Sequence, residues 1–389
     1  MPGVLLTGVS MRAAAQSALK AGYRPHTIDA FADLDVPRPK MLVAKTHESA
    51  RFNPRRVLQR ARRLPVDAVV YGSGFEDDSP AVGEISKGRA LWGNPPEVLQ
   101  QVRSPRRLLE GLAKSGFTVP RVFVPGEDAG EPSPDVDWLE KPFRSGGGHG
   151  VRPWHRGLPI ADGSYLEEFI HGTPGSIVFV ASAGRAVPLG VSRQLAGDAA
   201  FGASHFQYCG SILSHPADLF DRGVGVAASA HAIAASVAKD YGLVGLNNVD
   251  FIAHRGTAYP VEVNPRWSAS VELVERAHDL SMFGLHADAC ARGALPGDRI
   301  PLCMRRAVGK AIVFARADLV VWQTKEWLAS RHVADVPRPW TTIRRGEPIC
   351  TVFAEADDST ACYRLLVRRA AVVYEEVGVN VCPSSDDAV

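Results

Sequence analysis

The chain of 389 residues has no stretch of about 20 apolar residues, so we expect no membrane-spanning helix and no membrane partner. Its six cysteines form no C-x-x-C pair, which argues against the usual zinc and redox motifs and favours reduced thiols. No basic segment precedes the short apolar start Met1–Leu6, so we expect no signal peptide and a cytoplasmic location.

The chain also lacks an excess of positive or negative charge. The 44 Lys and Arg residues against 42 Asp and Glu residues leave a net charge of +2, which gives no reason to expect a nucleic-acid partner. A composition of 46% hydrophobic and 22% charged residues is typical of a folded protein. Because single cores stop growing at about 250–300 residues, we predict several domains, over residues 1–95, 96–300 and 301–389.

Short β-rich runs alternate with helical segments in the first domain, which predicts a Rossmann-like parallel sheet. The strands are Val4–Thr7, Pro25–Ile28, Asp67–Tyr71 and Ala90–Trp92, and the first helix is Met11–Ala21. No G-x-G-x-x-G sequence follows the first strand, so an enzyme of hydride transfer is disfavoured.

Two turns at the ends of these strands are candidate substrate-binding positions. Gly8 and Ser10 lie in the turn after the first strand, where a substrate could meet a helix N-terminus. Gly72 and Ser73 follow the third strand and either line the substrate side of the same cleft or form a plain tight turn.

The remainder of the chain mixes helices with strands. Val98–Ser115 has the composition of one helix, and Val226–Tyr241 is an Ala-rich helix with apolar spacing. After Pro301, short strand runs separated by Pro and Gly predict a small β-rich C-terminal domain, with Ala371–Tyr374 as a possible strand. The polar tail Pro383–Val389 is expected to fray.

A lysine and a glycine-rich loop form the first motif that carries chemistry. Lys141 ends a predicted strand, and the sequence Gly146-Gly147-Gly148-His149-Gly150 follows it. Glycines let a backbone approach phosphates closely, and the lysine adds a compact positive charge. Gly-Lys-Ser/Thr is absent, so the loop is not a P-loop. A phosphate site and a flexible linker are equal interpretations of this motif alone.

Oxygen-bearing side chains on two consecutive strands form the second motif. A tight turn at His254–Gly256 brings Asp250 close to Glu262 and Asn264, and the latter two share one face of their strand. Two carboxylates and an amide oxygen suit Mg²⁺. The alternative is a solvated hairpin, which the surrounding Val, Ile and Phe residues disfavour.

The order and spacing of these motifs resemble the ATP-grasp family over about residues 104–275. The segment Tyr165–Gly172 between them resembles the hinge of that family. The resemblance implies ATP in a cleft between two α+β subdomains, with a lid subdomain over about residues 117–172. It also implies that a carboxylate is activated as an acyl phosphate and then captured by a nucleophile, usually an amine.

The resemblance also implies roles for individual residues. Lys141 would contact the α-phosphate and the adenine region, and Arg266 would stabilise the transferring phosphoryl group or the acyl phosphate. Arg106 either replaces an earlier ATP-binding lysine that many members carry or is a solvated helix residue. The other implied positions are the lid residues Gly146, Gly147, Gly148, His149 and Gly150, the hinge residues Glu167, Glu168, Phe169 and Ile170, and the Mg²⁺ or Mn²⁺ ligands Asp250, Glu262 and Asn264.

The C-terminal segments Asp335–Pro339 and Ile343–Val352 resemble the closing part of carboligase-like ATP-grasp proteins. That resemblance implies a ligase joining an amino acid such as glutamate to an amine or cofactor precursor, as in methanofuran- or methanopterin-type pathways. Small-molecule carboxylate and amine substrates, and a possible homo-oligomer, are the expected partners. A bicarbonate-using, biotin-carboxylase-like enzyme and a non-catalytic ATP-binding protein are the alternatives.

Overall fold

The computed structural model describes residues 1–42, 52–297, 306–322 and 324–379. The predicted tail Pro383–Val389 and the predicted start of the third domain at Pro301 lie outside these residues. Within the described part of the chain, no helix combines the length and the apolar character that crossing a membrane requires.

The N-terminal domain is built on a five-stranded parallel sheet of order β3-β2-β1-β4-β5, as the alternating pattern predicts. Every residue of β1 is buried, because helices cover both faces of such a sheet. The elements are β1 (Gly3–Gly8), α1 (Arg12–Lys20), β2 (Arg24–Asp29), β3 (Lys40–Leu42), α2 (Pro54–Ala61), β4 (Ala68–Tyr71), α3 (Ser79–Ile85) and β5 (Ala90–Leu91).

Two helices, α4 (Pro96–Val102) and α5 (Pro105–Lys114), lead from this domain to the next sheet. The single helix predicted over Val98–Ser115 is therefore wrong. Pro105 has no N–H for a continuing helix and favours a first helical position, and Ser104 caps the new helix by accepting a hydrogen bond from Arg107 N.

A small antiparallel sheet follows, with strand order β6-β9-β7-β8. Its strands are β6 (Val122–Phe123), β7 (Trp138–Pro142), β8 (Arg152–Trp154) and β9 (Ser164–Glu168). Lys141 lies near the end of β7, and the glycine-rich loop connects β7 to β8. This sheet occupies the stretch that the resemblance assigns to the lid subdomain.

The largest sheet has eight strands in the order β14-β13-β10-β11-β12-β15-β19-β17, with antiparallel neighbours. Its first strands are β10 (Thr173–Ser182), β11 (Arg185–Ala196), β12 (Tyr208–Leu213), β13 (Gly245–His254) and β14 (Thr257–Asn264). The helices of this part are α6 (Pro216–Leu219), α7 (Gly223–Tyr241), α8 (Val271–His278) and α9 (Met282–Arg292).

The C-terminal part supplies the remaining strands of that sheet. They are β15 (Ala307–Phe314), β17 (Val333–Ala334) and β19 (Pro348–Ala356), while β16 (Leu319–Val321) pairs with β18 (Thr341–Ile343) separately. The possible strand Ala371–Tyr374 is wrong, because these residues lie within α10 (Ser359–Val379). There Leu366, Ala370 and Val373 are buried at helical spacing.

The two faces of the large sheet pack against different layers. One face packs its apolar residues, such as Ile177, against α7 and α10. The opposite face packs residues such as Val178 against α8, α9 and helix α1 of the N-terminal domain. On that second face, towards β13 and β14, polar side chains replace the apolar ones and border a cleft.

Candidate active site

A cleft of about 210 Å³ lies between the small sheet, the large sheet and the connection between α4 and α5. It brings together predicted residues that are more than a hundred positions apart in the chain. Those that line it are Lys141, Gly146, Gly148, Glu167, Glu168, Phe169, Ile170 and Glu262. Arg103 and Phe206, which the sequence analysis did not single out, line it too.

Lys141 and Glu167 form a buried ion pair at one end of the cleft. They are neighbours because β7 pairs with β9, and Lys141 Nζ lies 2.9 Å from Glu167 Oε1. Burial alone would lower the pKa of Lys141, but Glu167 raises it above its ordinary value, so the lysine stays charged. The second oxygen, Glu167 Oε2, is buried and has no hydrogen-bond partner among the described residues. This oxygen can therefore still accept a hydrogen bond at this end of the cleft.

The hinge residues Glu167 and Glu168 end β9, and Phe169 and Ile170 follow directly. Phe169 N donates to Asp137 O at 2.8 Å, so this amide is already used within the small sheet. The Phe169 carbonyl and the Ile170 backbone are therefore the groups of the predicted hinge that we expect to form hydrogen bonds with adenine. The Phe169 ring packs edge-on against Phe206, with centroids 6.1 Å apart.

The glycine-rich loop rests on the connection between β11 and β12. Tyr208 N donates to Gly147 O at 2.9 Å. Gly148 has a φ of +75°, and a Cβ atom there would lie 1.9 Å from Phe206 O. Gly146, in contrast, has no atom within 4 Å of such a Cβ. Glycine is thus required at position 148 by a close backbone approach, whereas position 146 has space for a side chain.

The predicted metal ligands lie side by side on β13 and β14. Asp250 pairs with Glu262 across these strands, so both side chains emerge on the same face. The Asp250 carboxylate accepts hydrogen bonds from Gln194 at 2.8 Å and from Asn264 at 2.8 Å. Asn248 donates a further one at 2.9 Å. The hairpin therefore forms as predicted and gathers oxygen atoms beside the cleft. Of the three predicted ligands, Glu262 is among the residues that line the cleft, and Asp250 and Asn264 are not.

Burial, and next to it the charge of Glu262, raises the pKa of Asp250 to about 7. Among the described residues, no group of three or more His, Cys, Asp or Glu side chains forms a metal site. The set here has two carboxylates and the amide of Asn264, and the nearby Asn248 Oδ1 is buried without a hydrogen-bond partner among the described residues. Such a set of hard oxygen donors fits a Mg²⁺ or Mn²⁺ ion that also takes phosphate oxygens and water.

Two arginines border this oxygen cluster. Arg266 donates from Nη2 to Asn264 Oδ1 at 2.7 Å and from Nε to Glu76 Oε1 at 2.7 Å. Arg103 is bonded to Glu262 and donates to Ser145 O, at the start of the glycine-rich loop, at 3.2 Å. The signal that could have revealed Arg103 is the Ser104-Pro105 helix start, which places the preceding residue at a break between two helices.

Arg106 is not among the residues that line the cleft. It forms ion pairs with Glu110 at 3.2 Å and with Glu127 at 2.9 Å, and a further one with Asp128. At the connection between α4 and α5, the arginine that lines the cleft is Arg103. The role of Arg106 as a replacement for the earlier lysine stays a prediction.

The two predicted substrate turns lie against each other. Gly72 N donates to Thr7 O at 2.7 Å, and Val9 N donates to Ser73 O at 2.9 Å. A Cβ on Gly8 would lie 2.9 Å from Gly72 Cα, so glycine permits this approach. Ser10 Oγ points towards Asp335 of the C-terminal part, at 3.5 Å. These four residues are not among those lining the cleft described above.

Residues 106–270 match the sequence model of the ATP-grasp domain family. Over this stretch the chain is similar to the ATP-grasp family, and the two antiparallel sheets around the cleft form an ATP-grasp fold preceded by a parallel α/β domain. No curated protein sequence matches the chain.

Solved structures of similar fold cover nearly the whole chain. An L-amino acid ligase from Bacillus licheniformis has a TM-score of 0.70 at 16% identity, covering 96% of this chain and 97% of that one. The N5-carboxyaminoimidazole ribonucleotide synthetase of Thermotoga maritima has a TM-score of 0.67 at 15% identity, covering 96% of this chain and 98% of that one. A third structure is the biotin carboxylase domain dimer of the Hydrogenobacter thermophilus 2-oxoglutarate carboxylase, solved with MgADP and bicarbonate. It has a TM-score of 0.70 at 13% identity, covering 96% of this chain and 89% of that one. At these identities the likeness shows the fold alone.

Proposed function

We propose that this protein is a Mg²⁺- or Mn²⁺-dependent ligase that uses ATP to form an amide bond. The observation that carries the proposal is the arrangement of the cleft. Lys141, Glu262 and the glycine-rich loop line one cleft, and Glu262 belongs to the oxygen cluster that also contains Asp250. A triphosphate needs cations and backbone N–H groups along its length, and these groups supply both.

Each group has a defined task in the proposal. Lys141 binds the α-phosphate, and the N–H groups of the glycine-rich loop bind the terminal phosphates. Asp250, Glu262 and Asn264 would hold the metal ion, which when bound neutralises phosphate charge. Arg266, whose side chain is only 10% exposed, balances the negative charge that develops on the transferred phosphoryl group.

The proposed reaction has two steps. The carboxylate of the first substrate attacks the γ-phosphorus of ATP, so that an acyl phosphate forms and ADP leaves. The amine of the second substrate then attacks the acyl carbon, loses a proton, and displaces inorganic phosphate. We propose an amino acid such as glutamate as the acid, and a small amine or cofactor precursor as its partner. The fold shared with the L-amino acid ligase supports this choice.

A bicarbonate-using reaction is the second candidate. It is favoured by the biotin carboxylase domain that was solved with bicarbonate, whose TM-score of 0.70 equals that of the L-amino acid ligase. In this case bicarbonate would take the place of the amino acid as the phosphorylated acid. That neighbour is a dimer, which supports our prediction of a homo-oligomer; light scattering on the purified chain would test it.

Phosphate release from ATP, measured over a matrix of acids and amines, tests the proposal. The acids include glutamate, other amino acids and bicarbonate, and the amines include tyramine. Release that requires one amino acid and one amine, with an amide product seen by mass spectrometry, is the expected result. Release that requires bicarbonate selects the second candidate. Tight ATP binding without turnover over a broad matrix would favour a non-catalytic nucleotide-binding protein.

A further inference from the structure

The turn Gly72–Asp77 of the N-terminal domain ends in two consecutive acidic residues, and each is bonded to an arginine of the candidate site. We infer that this turn positions two of the proposed metal ligands, Asn264 and Glu262, through those arginines. The inference rests on the proposed function, because it concerns how the same site is held in place.

The first connection runs through Glu76, whose side chain is only 3% exposed. Its Oε2 accepts a hydrogen bond from Gly74 N at 2.6 Å, which fixes the carboxylate to its own turn. Its Oε1 accepts from Arg266 Nε at 2.7 Å. From the other side of the guanidinium, Nη2 donates to Asn264 Oδ1 at 2.7 Å. Asn264 in turn donates to Asp250 at 2.8 Å, so the chain of contacts ends at the oxygen cluster.

The second connection runs through the next residue, Asp77. Arg103 Nη2 donates to Asp77 Oδ1 at 2.9 Å, and its other terminal nitrogen is bonded to Glu262. This connection is more exposed to solvent than the first, since the side chain of Asp77 is 24% exposed. We therefore assign the larger share of positioning to Glu76.

Positioning matters here because metal ligands must be held to within about 0.5 Å of their working geometry. The ring of contacts orients the Asn264 amide with its oxygen towards Arg266 and its nitrogen towards Asp250. Glu76 stabilises the arginine in that pose by a buried, charge-assisted hydrogen bond. Without the negative charge, Arg266 would be drawn towards the carboxylates of the metal site and would compete with a cation for them.

The test compares ADP binding in Mg²⁺ with ADP binding in EDTA, by calorimetry, for the wild-type chain and three variants. Glu76→Gln keeps the shape of the side chain but removes its charge, and Asp77→Asn does the same on the second path. Glu84→Gln is the control, because Glu84 belongs to the same domain and, among the described residues, its ion pair is with the exposed Lys87. Glu76→Asp tests whether restoring the charge rescues the effect.

We expect ADP to bind the wild type more tightly in Mg²⁺ than in EDTA. In Glu76→Gln the ratio of the two dissociation constants should be roughly tenfold smaller, which is the scale of one charge-assisted hydrogen bond. Asp77→Asn should lose about threefold by the same reasoning at a more exposed pair. Binding in EDTA should be unchanged in every variant. Glu84→Gln should match the wild type, and Glu76→Asp should recover part of the loss.

Two different failures are distinguishable. A wild-type chain that binds ADP in neither condition contradicts the proposed function and removes this inference with it. A wild type with Mg²⁺-dependent binding, and a folded Glu76→Gln chain that keeps the full dependence, contradicts the positioning role alone. If Glu76→Gln does not fold, Asp77→Asn decides. A folded Asp77→Asn chain with wild-type Mg²⁺ dependence then overturns the inference.

Discussion

The two ends of the cleft carry their charges in different ways. At one end Lys141 is bonded to the carboxylate of Glu167 in a balanced pair, and the more distant charge of Glu262 also acts on this lysine. At the other end Asp250 and Glu262 face each other across neighbouring strands. Arg103 is bonded to Glu262, while Asp250 accepts its hydrogen bonds from neutral amides. Among the described residues, Asp250 at the second end therefore has no bonded cation.

This difference predicts different consequences when each end is altered. A balanced buried pair stabilises the fold as long as both partners are present, and breaking it leaves one charge buried alone. An end with a carboxylate that no cation bonds contributes less to the fold and depends on what it binds. We therefore expect changes at Lys141 to affect both stability and nucleotide binding, and changes at Glu262 to affect mainly turnover.

The largest expected effect follows replacement of Glu262 by Gln. A bound metal ion contributes several kcal/mol of charge stabilisation, so turnover should fall at least about a hundredfold. The fold should persist, because the side chain is 31% exposed and gives up only its bond with Arg103. Phosphate release and thermal melting measure the two quantities. Glu127→Gln, which loses an exposed partner of Arg106, is the control. Wild-type turnover in Glu262→Gln would remove this residue from the proposed metal site.

Replacement of Lys141 by Ala should have the next largest effect. The loss of a charge-assisted contact with phosphate should weaken ATP binding roughly ten- to a hundredfold. Stability should also fall, by about 3–5 kcal/mol, because Glu167 is left buried and unpaired. Calorimetric titration and urea unfolding measure these two losses.

The double variant Lys141→Met with Glu167→Leu separates the two losses. Apolar residues of similar size should restore most of the stability, since no buried charge remains. ATP binding should stay weak, because the phosphate-facing cation is still missing. An ATP dissociation constant that is unchanged in Lys141→Ala would show that this lysine has only a structural role.

The same two ends differ in how far the sequence could predict them. Lys141 and Glu167 belong to paired strands of one small sheet, and Asp250 and Glu262 to one hairpin. Pairing across a short hairpin follows from strand patterns and a tight turn, so the proximity of Asp250 and Glu262 could be predicted without a structure. The positions of Lys141 and Glu167 came from the family resemblance, and their pairing was not predicted. The parallel sheet of the N-terminal domain was predictable for another reason, the alternation of strand and helix segments.

Contacts between distant segments could not be predicted. Glu76 and Arg266 are 190 residues apart, and no local pattern indicates that they meet. Arg103 was missed because its neighbours have good helix propensity and the break at Pro105 was not recognised. In α10, the β-branched residues favoured a strand over Ala371–Tyr374, yet the packing of an apolar helix face on the sheet decided the structure.

Replacing Gly148 by Ala should give an intermediate effect. The new Cβ would lie 1.9 Å from Phe206 O at a φ of +75°, so the loop cannot keep its present position. Backbone strain of this kind costs about 1–3 kcal/mol, so we expect turnover to fall roughly tenfold. Gly146→Ala is the matched control in the same loop, since nothing lies within 4 Å of its added Cβ.

Hydrogen exchange of the glycine-rich loop extends this test. A lid ordered by phosphates should gain protection when a non-hydrolysable ATP analogue binds, and closure would protect the acyl phosphate from water. Strong protection without nucleotide would instead indicate a static turn. Equal turnover in Gly148→Ala and Gly146→Ala would show that docking of the loop on Phe206 is not needed.

The smallest expected effect distinguishes two neighbouring arginines. Arg106→Ala removes ion pairs whose partners include the largely exposed Glu110 and Glu127, and such pairs contribute about 0–1 kcal/mol each. ATP affinity should therefore change by less than about twofold. Arg103→Ala removes a cation that lines the cleft and bonds Glu262, so affinity should fall about fivefold, within the range of one charged hydrogen bond. Titration of both variants with ATP gives the comparison. A larger loss in Arg106→Ala than in Arg103→Ala would restore Arg106 as the substitute for the earlier lysine, and would mean that the α5 N-terminus turns towards the nucleotide when it binds.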